Sequence, residues 1–140
     1  MKTRLIYAAF VSILATSCAS QQTTKTDCGN LICTQEFVSI PVKIISTNGT
    51  EVKFKSYKVI DVATGKSVSS KDLDTKDPNI IVIADDSHLK KFAGGKGQAL
   101  QLQIKKTDDS ILKVDYKIAG GKCACHVSKL EGPDEVNINP

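Results

Sequence analysis

Apolar side chains recur every second residue in this chain, and that period constrains its fold more than any other feature. Val38, Ile40, Val42 and Ile44 fall on one side of an extended segment, with Ser39, Pro41 and Lys43 on the other. Leu100, Leu102 and Ile104 alternate in the same way, as do Leu112, Val114, Tyr116 and Ile118. An amphipathic helix needs apolar positions three and four apart, and no stretch after residue 28 offers a convincing run of them. Ile80 to Ile83 is a short continuous apolar run, consistent with a buried strand, and Val136 and Ile138 add a last short one. Ser87 to Phe92 has room for one helical turn, which Gly94, Gly95 and Gly97 then break off.

Interruptions of the period locate the turns. Pro41 has no N–H to donate to a ladder, which predicts a sheet edge or a bulge there. Asn48-Gly49 is a strong short hairpin signal. Val52 and Phe54 keep the even phase, Tyr57 and Val59 take the odd one, and Ile60 and Val62 return to the even. The slip near Ser56 predicts a bulge or a strand break. Thr64-Gly65-Lys66 is a turn, Ser69 to Asn79 a long polar loop, and Thr107 to Ser110 the turn of a second hairpin. Gly120-Gly121 makes another turn, after which Cys123, Cys125 and Val127 share one face of a further strand. Seven to eight short strands with no amphipathic helix predict an all-β fold, a single β-sandwich. The segment Ile40 to Val68, with Asp61, Thr64 and Gly65 as an Asp-x-x-Thr-Gly strand end, resembles the first half of a carboxypeptidase-regulatory or transthyretin-like domain. That resemblance implies a transthyretin-like sandwich, and the alternation alone leaves an Ig-like topology open.

The N-terminus follows different rules. Lys2 and Arg4 precede an apolar stretch, Leu5 to Ala15, that is too short to span a bilayer as a mature helix. Ala15-Thr16-Ser17 then lead into Cys18. The run MKTRLIYAAFVSILATSC resembles a bacterial lipoprotein signal, whose lipobox ends in a cysteine preceded by small residues. Leu14 stands one place further from the cysteine than in the commonest lipobox. In that family the thiol receives diacylglycerol, the peptide is cut before the cysteine, and the new amine is usually acylated. The resemblance therefore implies lipidation at Cys18. Ala19, where an aspartate is the usual inner-membrane retention signal, implies the outer membrane, facing the periplasm or the cell surface. The expected organisation is a signal peptide over 1–17, a lipidated cysteine and polar tether over 18–27, and a β-sandwich domain over 28–140. The combination of this lipobox-like run, Cys33-Thr34 and the late cysteine-rich segment followed by His126-Val127 also resembles small lipoproteins of Bacteroidetes-type bacteria, a resemblance that implies no activity.

Charge narrows the partners. Of 140 residues, 19 are Lys or Arg and 15 Asp or Glu; removal of residues 1–17 takes Lys2 and Arg4 with it and brings the formal net charge from +4 to about +2. Arg4 is the only arginine. Base readout and bidentate phosphate recognition rely heavily on arginine, and lysines scattered among acids form no basic stripe, so no nucleic-acid partner is expected.

Four cysteines remain beyond the lipobox: Cys28, Cys33, Cys123 and Cys125. An even number in an exported domain predicts two disulfides. Cys123 and Cys125, two apart on one strand face, are poorly placed to bond each other, so each is expected to pair with Cys28 or Cys33, in an order left open. His126 is then expected on the opposite face. The alternative is a zinc or copper(I) site built from Cys123, Cys125 and His126. An oxidising compartment disfavours it, and Met1 is the only methionine. Asp72, Asp74 and Asp77 lack the turn glycine and distal glutamate of a calcium loop. Asp85-Asp86 and Asp108-Asp109, beside Ser87 and Ser110, read as turn chemistry. The chain has two histidines, His88 and His126, and no nucleophile motif around them. No catalytic residue and no cofactor is expected. The expected function is a membrane-anchored envelope lipoprotein acting as a binding or structural module, its partner an unidentified envelope protein or ligand; a small hydrolase without a recognisable motif is the second alternative.

Overall fold

The computed structural model describes residues 28–47, 51–68, 76–92 and 94–139. Cys18 and its flanks, Asn48-Gly49, and Asp72 and Asp74 of the polar loop lie outside the described residues. The described residues form seven strands in order: β1 (Ser39–Ile45), β2 (Phe54–Asp61), β3 (Ile80–Asp85), β4 (Gln98–Lys106), β5 (Ile111–Ala119), β6 (Ser128–Glu131) and β7 (Glu135–Asn137). A 3-10 turn, Asp86–Lys91, follows β3 directly. The strands form two sheets, β3-β1-β7 and β2-β4-β5-β6, and the molecule is an all-β sandwich.

The period-two reading holds where the core forms. Leu100, Leu102 and Ile104 of β4 are fully buried, as are Val42 of β1 and Ile118 of β5. Register places Leu100 opposite Tyr116, Leu102 opposite Val114 and Ile104 opposite Leu112, so the apolar faces of β4 and β5 coincide. Each fully buried Val, Leu or Ile side chain contributes about 1.5–3 kcal/mol. β3 is buried from Ile81 to Asp85 without alternation, as its continuous apolar run requires.

Pro41 lies at a bulge. Ile40 pairs with Ala84 and Pro41 with Val82, so one residue of β3 is skipped. β1 is nevertheless central, not an edge. Its second neighbour, β7, runs parallel to it and reaches only Lys43 to Ile45, which leaves the stretch at Pro41 without a ladder on that side.

β1 and β2 do not pair as a hairpin, because they belong to different sheets. Both strands are apolar on one side only, and placing them in facing sheets buries both sides against a shared core. The slip near Ser56 is a bulge, with Phe54 opposite Lys106 and Ser56 opposite Lys105. No second slip follows. Val59 and Asp61 are both buried while Val62 is exposed. Asp61 tolerates the inward place because its carboxylate accepts from the Ala63 N–H at 2.9 Å and from Gln98 Nε2 at 2.6 Å. Gly65, with φ +67°, then closes the turn.

One buried polar group is less well served. Tyr116 is 2 % exposed, its ring fills the space beside Gly132, and its hydroxyl meets no hydrogen-bond partner among the described residues. Burial, with a smaller contribution from the Asp134 charge, holds the phenol far above its ordinary range. Tyr116→Phe removes a desolvated hydroxyl and is expected to raise stability by about 1 kcal/mol. The check is the urea midpoint at unchanged m; a fall in the midpoint would show that the hydroxyl is satisfied.

Candidate functional site

Residues 28–38 form a strap with no strand in it, and two disulfides fasten it. Cys28 is bonded to Cys123 and Cys33 to Cys125. These pairs settle the order that the sequence leaves open, with separations of 95 and 92 residues. In the chain-entropy account, loops of that length make each crosslink worth about 4–5 kcal/mol, and usually less in practice.

The cysteines reach the strap differently from expectation. Residues 122–127 are turn and bend rather than strand, and β6 begins only at Ser128. Two local causes are visible. Gly121, at φ +100°, donates its N–H to Leu89 O at 2.7 Å, which pulls the chain towards the 3-10 turn. The Val127 N–H, which a ladder would use, goes instead to Asp86 Oδ1 at 2.8 Å.

Asp86 is the node of the site. Its Oδ2 accepts from the Val38 N–H at 2.8 Å and from His126 Nδ1 at 2.7 Å, while its own N–H donates to Val38 O at 3.0 Å. One carboxylate thus joins the end of the strap, the 3-10 turn and the cysteine loop. Burial pushes the Asp86 carboxyl up. Hydrogen bonds from His126, Val38 and Val127, with the electrostatic attraction of His126, outweigh that and hold it below the usual carboxylate range. His126 does not point away from the strap: its Nε2 lies 2.9 Å from Thr34 Oγ1. Because Cys33 is bonded to Cys125, their successors Thr34 and His126 are brought side by side. His126 Nδ1 thus faces Asp86 and Nε2 faces the Thr34 hydroxyl, so the ring bridges the 3-10 turn and the strap.

The neighbouring aspartate plays the part expected of it. Asp85 caps the 3-10 turn, its Oδ1 accepting from the Ser87 N–H at 2.8 Å and from the Ser87 hydroxyl. Asp108 likewise accepts from the Ser110 N–H at 2.9 Å, and Asp77 from the Asn79 N–H at 2.8 Å. Asp86, which the sequence pairs with Asp85 as turn chemistry, is not part of this cap. The available signal was that one carboxylate suffices for the cap, which leaves the second of the pair for another task.

Chemically, the site offers two things. Hydroxyl, imidazole and carboxylate stand in the order of a nucleophile–base–orienter chain. Among the described residues, one cleft of about 530 Å³ includes Leu100, Asp115, Tyr116 and Glu131, and one of about 300 Å³ includes Asp61, His88 and Lys91. Metal binding through Cys123, Cys125 and His126 finds both sulfurs in disulfides, and no group of three His, Cys, Asp or Glu able to hold a metal occurs among the described residues. The second offering is apolar. Leu31 is 47 % exposed, Ile32 93 % and Phe37 60 %, so three of the seven exposed large hydrophobic residues described fall within seven positions of the strap.

No protein-family model, no curated protein and no solved structure matches this chain.

Proposed function

We propose that this protein is a lipid-anchored envelope protein, held in the outer membrane through Cys18, whose β-sandwich serves as a binding or structural module with the strap from Cys28 to Val38 as its contact segment. The observation that carries the contact reading is the fastening of the strap. Two disulfides and the Asp86 node hold a segment that leaves Ile32 in solvent. Fastening of that kind is useful where exposed side chains must be presented in one place, since an interface formed by a preorganised segment loses less entropy on binding. The resemblance of residues 1–18 to a lipoprotein signal, with Ala19 after the cysteine, supports the anchor and its membrane.

Cys18→Ala is expected to release the protein from the membrane fraction or to leave it unprocessed, because stable anchoring depends on acyl chains worth ~0.8 kcal/mol per buried methylene. Fractionation with mass measurement of the N-terminal peptide checks this. Unchanged membrane association of the variant would end the anchoring reading.

A second reading, a small hydrolase, is favoured by the Thr34–His126–Asp86 order. Ester turnover by the purified protein, abolished by His126→Ala in a variant that remains folded, would replace the binding reading by that one.

A further inference from the structure

We infer that the stapled strap docks on the bilayer itself: Leu31, Ile32 and Phe37 insert into the interfacial region of the membrane that carries the lipid anchor. The inference rests on the anchoring proposal above and adds to it the surface used and its partner.

Covalent distance comes first. Cys18 and Cys28 are ten residues apart, and a fully extended chain of that length spans no more than about 35 Å. The strap is therefore the first part of the domain after the anchor and can never be far from the surface. Attachment makes insertion an intramolecular event at an effective concentration in the millimolar range, so even weak partitioning is enough to populate a docked state.

Side-chain chemistry comes second. Between Gly29 and Val38 the only charged residue is Glu36, in a chain of which 24 % is charged. Ile32, 93 % exposed, immediately precedes Cys33, whose sulfur is bonded to Cys125. The crosslinks at Cys28 and Cys33 flank Leu31 and Ile32, so these side chains are offered outward on a braced backbone. Phe37 precedes Val38, whose N–H is held by Asp86. A large exposed aliphatic residue on a braced segment beside a lipid attachment point finds its complement in the apolar region just below the headgroups.

The chain contains no tryptophan, so an introduced one is the only one. Ile32→Trp and Phe37→Trp report on the strap, and Ile111→Trp, at a 55 % exposed position on β5, is the control. Each mature lipidated protein is reconstituted into vesicles of phosphatidylethanolamine and phosphatidylglycerol, with and without bromine on the acyl chains. Emission from Ile32→Trp and Phe37→Trp is expected to shift to the blue and to lose at least half its intensity to the brominated chains. Ile111→Trp is expected to do neither. Flotation of the same samples reads the anchor separately. Proteins that float while strap tryptophans stay unquenched would overturn docking and leave the anchor intact. A blue shift without bromine quenching would place the strap against protein and would also overturn it. Protein that fails to float would overturn the anchoring proposal and this inference with it.

Discussion

Replacing Cys33 and Cys125 together by serine is expected to lower the unfolding free energy by about 2–5 kcal/mol, the usual cost of losing a native bridge in a small exported domain. The effect is large because the bridge joins residues 92 apart, and the unfolded chain regains the freedom that the crosslink removed. A second consequence is local. Thr34 and His126 meet as neighbours of the bonded cysteines, so the Thr34 Oγ1–His126 Nε2 contact is expected to go with the bridge. Denaturant unfolding measures the first effect. Hydrogen exchange resolves the second: amides of the strap should lose protection while those of Leu102 and Ile104 in β4 keep it. A double variant within about 0.5 kcal/mol of the parent would show that the bridge constrains nothing.

Asp86→Ala is expected to cost about 2–4 kcal/mol. The substitution leaves the Val38 and Val127 N–H groups without their acceptor and removes a charge-assisted bond to His126. Hydrogen bonds to charged groups contribute roughly 1.5–3 kcal/mol each, and three bonds to one carboxylate are not additive. The pH dependence has a definite sign. The folded carboxyl titrates below its ordinary value of 3.8, so the unfolded chain takes up the proton first as pH falls. Stability from this group is complete above the unfolded value and is lost as pH drops through the folded one. The parent should therefore lose stability more steeply than Asp86→Ala in the acid range below about pH 4. Parallel stability–pH curves for the two proteins would show that Asp86 is not held as its hydrogen bonds indicate.

How much was legible in the chain varies by element. The inward faces of β4 and β5 were read residue by residue, since alternation there is strict and both strands bury one side. The bulge at Ser56 was readable because a phase change in a one-sided strand has no other economical explanation. The return to even phase that Ile60 and Val62 suggest does not occur: Val62 is apolar but exposed, whereas Asp61 faces inward with its hydrogen bonds satisfied. Hydrophobicity alone does not register a satisfied buried carboxylate. The expected strand at Cys123 failed for a related reason. Its alternation is real, but Asp86 captures the Val127 N–H and His126, and a side chain that competes with a ladder from 41 residues away leaves no local signature.

The sequence by itself determined that the chain is all-β, which side chains of β4 and β5 face the core, and that the four cysteines beyond Cys18 form two cross-pairs. The first two follow from short-range geometry, since successive strand side chains point to opposite faces whatever the partner strand, whereas the expectation of two bridges came from the even cysteine count, because Cys123 and Cys125 lie in turn and bend and not on a strand. Tertiary structure alone decided that β1 and β2 lie in different sheets, that Cys28 takes Cys123 and Cys33 takes Cys125, and that Asp86 ties Val38 to His126 and Val127. Those outcomes depend on contacts between residues 40 to 95 positions apart. Local preference does not distinguish among such closures. The choice falls to whichever arrangement buries the two apolar faces together and still satisfies the polar groups buried with them.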